Sequence, residues 1–236
     1  MDFNFSEEQE ILKRSARTFL AKECPFEVAR AVAEHEKGCP PELWLKMAEL
    51  GWMGLPFPEE YGGAGFSLLD LAVLLEEMGR ANAPSMFLNA MIGGLAILEA
   101  GNEQQKSRLL PPIAKGNLVI TLAVLEPSLS FEPTDIRASA VTNGQSHILN
   151  GTKLFVPDAN SADYVICAVR TSDCNEKNEG ISMMAVPKSA FQNQLTTLKT
   201  LAGDKQFELK LDGIEVCSDN VLGTLGEGWK PLSRVM

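Results

Sequence analysis

The stretch of sequence that decides the fold reads Leu149-Asn150-Gly151-Thr152-Lys153-Leu154-Phe155-Val156. A strand-like run and a polar turn at residues 143–145 precede it, and a largely apolar run at residues 162–171 follows it. Asn-Gly is a preferred pair for the tight turn of a β-hairpin, because both residues tolerate the positive φ angles that such a turn needs. The stretch therefore predicts two strands joined at Asn150-Gly151, with Phe155 on the second strand.

Similar segments fill the chain beyond residue 117. The strand candidates are residues 118–124, 136–141, 146–150, 152–156, 164–169, 181–186, 207–211 and 214–216. Polar loops and further turn pairs, among them Asp212-Gly213, separate these candidates. Several short strands at this spacing predict a β-barrel or sandwich.

Before residue 117 the apolar residues repeat at helical spacing. Ser6 and Gln9 have the spacing of a capping box, and Pro41 is placed to begin a helix that Gly51 ends. Three more helices are predicted from about Ser67, over residues 85–100 and over residues 103–114.

The predicted fold class is α+β, with an N-terminal all-α domain followed by a β-barrel or sandwich domain. The predicted domains are residues 1–117 and 118–226, and residues 227–236 begin a further helix. On the helix after Ser67, Glu76 and Glu77 are adjacent. One of them could face inward with a raised pKa, or both could belong to a solvated face with one packing contact.

Composition excludes several classes of function. The formal net charge is -10, which disfavours nucleic acid as a partner. No run approaches the ~18 apolar residues of a membrane span, and the acidic N-terminus is unlike a signal peptide. We therefore expect a cytoplasmic protein. The five cysteines lack Cys-x-x-Cys spacing and the chain has only two histidines, so we expect reduced thiols and no metal site.

Several segments, taken in order, resemble the flavin-dependent acyl-CoA dehydrogenases. They are residues 59–65 (EEYGGAG), 75–81 (LEEMGRA), 101–106 (GNEQQK), 110–116 (LPPIAKG), 150–153 (NGTK) and 221–229 (VLGTLGEGW). Each segment is weak alone, but their order and spacing cover essentially the whole chain. The resemblance implies the N-terminal helical domain and the middle β-domain of this family, without its C-terminal four-helix bundle.

The resemblance also implies a reaction, a cofactor and partners. The family dehydrogenates an acyl-CoA thioester between the α and β carbons: a carboxylate removes the α-proton, and the β-hydrogen leaves as hydride to FAD. An electron-transferring flavoprotein then accepts the electrons, and family members are oligomers. The base is normally a glutamate of the C-terminal bundle, so no catalytic residue is named among these 236 residues, and the chain alone is expected to be inactive.

The same resemblance assigns the candidate contacts. The flavin contacts are Leu122, Val124, Leu125, Phe155, Val156 and Pro157, and the substrate contact is Phe131. Three of these depart from the family pattern Thr-Glu-Pro-x-Ala-Gly-Ser-Asp and from the strand that follows it. Leu125 replaces a threonine, Phe131 replaces a serine, and Pro157 replaces a threonine or serine near the flavin N5. Phe155 replaces an aromatic that is usually tryptophan, and it can still stack.

Two alternatives remain open at this point. The chain could be a non-catalytic scaffold subunit that pairs with a full-length paralogue as a heteromer. It could also be a related acyl-CoA oxidase or flavin monooxygenase on the same fold. Either a truncated chain or a naturally half-size subunit would fit the sequence.

Overall fold

In the computed structural model, which describes residues 4–172 and 178–236, capping side chains begin three of the helices. Ser6, Ser67 and Asn102 each accept a hydrogen bond from the backbone three residues on, in complete capping boxes. These side chains satisfy amide groups that the first turn of a helix leaves unpaired. The helical part comprises α1 (Glu7–Glu23), α2 (Phe26–Glu34), α3 (Pro41–Glu49), α4 (Leu68–Arg80), α5 (Met86–Ala100) and α6 (Glu103–Ala114).

After α6, the described residues form one mixed eight-stranded sheet and two further α-helices. The strands are β1 (Ile120–Ala123), β2 (Ser139–Asn143), β3 (Ser146–Pro157), β4 (Tyr164–Arg170), β5 (Ile181–Pro187), β6 (Leu195–Leu198), β7 (Gln206–Cys217) and β8 (Val221–Leu222). The two helices are α7 (Lys188–Phe191) and α8 (Trp229–Val235). The strand order is β6-β7-β3-β2-β4-β5-β8, and β1 pairs in parallel with β4.

The predicted hairpin at Asn150-Gly151 is wrong. Residues 146–157 form the single strand β3, and the hairpin turn lies at Gly144-Gln145, where Asn143 pairs with Ser146. The predicted turn at Asp212-Gly213 is likewise inside one strand, β7. Asn150 pairs with Asp212 and Leu149 with Ile214, so Gly213 is the extra residue of a β-bulge at which the register of β3 and β7 shifts. Glycine supplies positive φ in a bulge as readily as in a turn, so the dipeptides alone do not distinguish the two.

Gly151 also allows the close approach of the residue that precedes β2, Ala138. A Cβ at this position would lie 2.6 Å from the Cβ of Ala138, and its φ is 141°. Gly213 has φ 66° and no neighbour within 4 Å of an added Cβ. The requirement for glycine at 151 is therefore both steric and conformational, whereas at 213 it is conformational only.

Strand β4 is buried on both faces and joins two hydrophobic clusters. Ile166 and Ala168 belong to a cluster shared with the helices, whereas Val165, Cys167 and Val169 belong to a cluster inside the sheet. The second cluster also draws residues from β2, β3, β5 and β7, so the sheet curls around it. The helical part followed by a curled sheet confirms the predicted fold class, and the exact domain boundaries remain a prediction.

Glu77 shows which of the two adjacent glutamates faces inward. It is fully buried, and Arg17 and Arg80 bind its carboxylate at 2.7 and 2.8 Å. The hydrogen bond from Arg17, opposed by burial and assisted by Arg80, lowers the pKa of Glu77 to about 2. Both alternatives offered for these glutamates are therefore wrong for Glu77: it faces inward, and its pKa is lowered because two cations outweigh desolvation.

The described cysteines Cys24, Cys39, Cys167 and Cys217 are free thiols, and Cys174 lies outside the described residues. Over residues 4–172 and 178–236, no helix is both long and apolar enough to cross a membrane. In that same part of the chain, no three histidine, cysteine, aspartate or glutamate side chains are grouped so that they could hold a metal ion.

Candidate functional site

A crevice of about 310 Å³ lies between α5 and the sheet. Helix α5 supplies one side, and β1, the segment after it and the end of β3 supply the other. The lining residues are Asn89, Ile92, Thr121, Leu122, Val124, Leu125, Phe131, Phe155, Pro157 and Met236. The walls are mostly apolar, as in typical small-molecule sites, with a few polar groups that can orient a ligand.

Six of the seven predicted contact residues line this crevice. They are Leu122, Val124, Leu125, Phe131, Phe155 and Pro157. The seventh, Val156, is fully buried in the cluster inside the sheet, so its side chain faces away from the crevice. The structure brings the predicted residues together, and their contacts with flavin or substrate remain a prediction.

Phe155 reaches the crevice through an irregularity in β3. Lys153 pairs with Leu209 and Val156 with Phe207, so β3 has one extra residue here relative to β7. Phe155 takes φ 50°, a left-handed conformation that costs a bulky residue roughly 1–3 kcal/mol. Its side chain remains 44% exposed. The bulge therefore presents an aromatic ring to the crevice instead of burying it in the sheet.

A buried ion pair holds the sheet wall of the crevice. The Lys153 ammonium lies 2.7 Å from Glu126 Oε1 and donates a second hydrogen bond of 3.2 Å to the Val124 carbonyl. Glu126 also accepts from the backbone amides of Arg137 and Ala138. Burial lowers the pKa of Lys153, and Glu126 opposes that shift. These contacts tie β3 to the lining residues that follow β1.

Thr121 carries a polar atom that the described protein does not satisfy. Its side chain is 1% exposed, it lines the crevice, and its hydroxyl has no hydrogen-bond partner. A buried hydroxyl left unpaired costs about 1–3 kcal/mol, so such a group marks a place where a ligand can supply the partner.

Four lining residues were not predicted from the sequence: Asn89, Ile92, Thr121 and Met236. The part that Lys153 plays behind the sheet wall was not predicted either. Asn89 could have been noticed as a lone amide in the apolar helix α5, and Thr121 as a hydroxyl within the apolar run of β1. Lys153 gave no such signal, because its partner Glu126 is 27 residues away in sequence.

The chain is similar in sequence to known acyl-CoA dehydrogenases. Residues 6–117 match the sequence profile described as "Acyl-CoA dehydrogenase, N-terminal domain". Acyl-CoA dehydrogenase FadE26 of Mycobacterium tuberculosis is 32% identical over 98% of this chain and 60% of its own length.

Solved structures with the same fold match nearly the whole chain. The ChsE4-ChsE5 complex from Mycobacterium tuberculosis matches with a TM-score of 0.85 and 30% identity, over 99% of this chain and 60% of the matched one. The glutaryl-coenzyme A dehydrogenase glutaryl-CoA complex matches with a TM-score of 0.88 and 26% identity, over 100% of this chain and 61% of the matched one. The chain thus spans about 60% of the length of these relatives.

Proposed function

Since the chain belongs to the acyl-CoA dehydrogenase family, we propose that its crevice binds the flavin ring of FAD and forms part of an acyl-CoA pocket. The observation that carries this proposal is the convergence of six predicted residues, together with the unpaired Thr121 hydroxyl, on one crevice. The similarity to a glutaryl-CoA complex supports a thioester ligand.

The residues present fit a flat, partly polar ring system. Phe155 offers an aromatic face for stacking, Leu122 and Leu125 provide apolar surface that excludes water, and Thr121 offers a hydroxyl. Pro157 has no amide hydrogen, and the Leu125 carbonyl already accepts from the Leu154 amide at 2.8 Å. The Thr121 side chain therefore takes over part of the hydrogen bonding that the family pattern would place at positions 125 and 157.

When bound, FAD would supply the acceptor for the β-hydride of the substrate. The contribution of this chain is to position the ligand and keep water out. The crevice-lining residues that the structure describes include no carboxylate or imidazole side chain, so no side chain among them can serve as the base for the α-proton. We expect these 236 residues to bind ligand without dehydrogenating it, and we expect an electron-transferring flavoprotein to be the electron partner of the complete active unit.

FAD titration of the purified chain tests the proposal. We expect visible flavin absorbance to be retained after gel filtration, with FAD binding weakened roughly 2- to 10-fold by Thr121→Val. The matched control is Thr197→Val on the exposed surface of β6, which should leave FAD binding unchanged. Without FAD, Thr121→Val should not reduce stability, because the buried hydroxyl has no protein partner to lose. A chain that FAD cannot reconstitute would contradict the proposal.

A non-catalytic subunit in a heteromer is the second candidate. The matched ChsE4-ChsE5 structure is a complex, and Leu125 and Pro157 remove side-chain groups that the family pattern uses. In this role the chain would stay colourless with FAD and would co-purify with a full-length paralogue. Oxygen consumption by a reconstituted, reduced flavoprotein would instead favour an oxidase or monooxygenase. The cytoplasmic location remains a prediction.

A further inference from the structure

Asn89 is one of two polar side chains that line the described crevice. It lies on α5, opposite the sheet wall that carries Phe155 and Leu125. Its amide nitrogen donates a hydrogen bond of 2.7 Å to Asp158 Oδ2. The other polar side chain, Thr121, belongs to β1 on the sheet side.

Asp158 is held so firmly that it can orient the amide. The carboxylate is 2% exposed, the residue follows Pro157 with φ 51°, and its backbone amide donates 2.8 Å to the Lys205 carbonyl. Gly38 lies close by: a Cβ added there would come within 2.8 Å of Asp158 Oδ1, so a side chain at position 38 would displace the carboxylate. Asp158 lines a second cavity of about 310 Å³, and Asn89 lines the crevice. The hydrogen bond between the two side chains therefore lies between the two cavities.

The hydrogen bond to Asp158 determines whether the NH₂ group or the carbonyl oxygen of Asn89 faces the crevice. An ionised carboxylate only accepts hydrogen bonds, so the NH₂ group of Asn89 must point at Asp158. The carbonyl oxygen of Asn89 then has no hydrogen-bond partner among the described residues, and the side chain is partly exposed on the crevice. The crevice therefore carries a fixed acceptor in an otherwise apolar wall.

We propose that Asn89, oriented by Asp158, selects an acyl-CoA whose acyl chain carries a hydroxyl group. The inference rests on the proposed function, in which the flavin lies against the sheet and the acyl chain lies along α5. A hydroxyl placed here would donate to Asn89 Oδ1. An alkyl chain would leave that oxygen desolvated and unpaired, and sites with buried polar groups discriminate against such analogues.

Calorimetric titration of the full chain with matched ligands tests the selection. The probes are hexanoyl-CoA and its three derivatives with a hydroxyl at carbon 4, 5 or 6, each measured with and without FAD. The wild-type chain should bind at least one hydroxyl isomer roughly 5- to 10-fold more tightly than hexanoyl-CoA. Asn89→Leu should abolish this preference, and Asp158→Asn should reduce it, because an amide at 158 can pair with either end of Asn89. Ile92→Leu, which alters the same wall without changing its polarity, should retain the preference.

Several results would overturn the selection. They are equal binding of all four thioesters, a preference that survives Asn89→Leu, and a loss of FAD affinity in Asn89→Leu with thioester binding intact. Failure of FAD to bind would contradict the proposed function separately, and the titrations without FAD would still decide the role of Asn89. A wild-type chain that binds no thioester overturns both.

Discussion

Lys153 and Glu126 form an ion pair of 2.7 Å in which the lysine side chain is fully buried and the glutamate side chain is 6% exposed. The pair connects β3 to the segment after β1, and both carry crevice-lining residues close to it: Leu125 adjoins Glu126, and Phe155 follows Lys153 by two positions. Removing one partner of a buried pair leaves the other charge uncompensated. This one ion pair therefore contributes both to the stability of the sheet and to the shape of the crevice.

Lys153→Met should lower the free energy of unfolding by about 3–5 kcal/mol, because the buried Glu126 carboxylate loses its cation. Adding Glu126→Gln should recover part of that loss, so the double variant should be more stable than the sum of the single changes predicts. Lys210→Met is the control, since Lys210 and Glu208 form an exposed pair at 3.8 Å on β7. Urea denaturation of the four variants measures these differences, and equal effects of Lys153→Met and Lys210→Met would contradict the prediction.

Gly151→Ala should be more destabilising than Gly213→Ala. The first change brings a Cβ within 2.6 Å of Ala138 and strains φ, so we expect a loss of about 2–5 kcal/mol. The second change strains φ in open space, so we expect a loss of about 1–2 kcal/mol. Thermal unfolding of both variants gives the comparison. Similar losses would show that the close approach of Ala138 relaxes freely.

These two glycines also show how far the sequence predicts the fold. Helices with capping boxes were predicted correctly at Ser6 and near Ser67, because cap and helix are neighbours in sequence. The chemistry of Asn-Gly and Asp-Gly is the same in a turn and in a bulge, so only the long-range pairing of β3 with β7 decides between them. Helix α2 was missed because no capping side chain marks its beginning at Pro25.

The site was predicted through its motif and not through its geometry. Residues in the stretches around Leu125 and Phe155 could be aligned with a family pattern, and the structure brings them together. The contact between Asn89 and Asp158 joins residues 69 positions apart, and no local pattern announces it. Contacts of this kind depend on how α5 packs on the sheet.

The pH dependence of stability should carry a contribution from Asp158 that weakens the fold as pH rises. Burial raises the pKa of Asp158 from 3.8 to about 6, with Asn89 opposing the shift, Asp204 adding to it and Lys205 opposing it. Cys39 is a further titratable neighbour, on the segment before α3. Because the folded pKa exceeds the unfolded one, the penalty is absent below about pH 4 and complete above about pH 6.

The penalty amounts to roughly 3 kcal/mol, from a shift of about two pKa units. Asp158→Asn has no titrating group at this position, so the difference in unfolding free energy between variant and wild type should grow in favour of the variant from pH 4 to pH 6. Chemical denaturation at pH 4, 5, 6 and 7 measures it. A difference that does not change with pH would contradict the raised pKa.

Glu77 should contribute with the opposite sign. Its pKa is lowered to about 2, chiefly by the hydrogen bond from Arg17, so its stabilisation is present above pH 4.5 and is lost as pH falls toward 2. Glu77→Gln should cost about 1.5–3 kcal/mol at pH 7 and much less at pH 2. Glu76→Gln is the matched control, since Glu76 is exposed and pairs with Lys13 at 2.9 Å, and it should cost under about 0.5 kcal/mol. Denaturation at both pH values distinguishes the two, and equal costs at pH 7 would contradict the role given to Glu77.

The left-handed backbone of Phe155 helps to distinguish a ligand-binding role of this chain from an architectural one. Glycine would adopt φ 50° without penalty, and phenylalanine on a regular strand would be relaxed. Selection for durability alone would favour either solution, since many proteins gain stability by giving up a strained working position. An exposed aromatic ring on a strained backbone is what the proposed flavin surface predicts, whereas a purely architectural subunit would have no need of it.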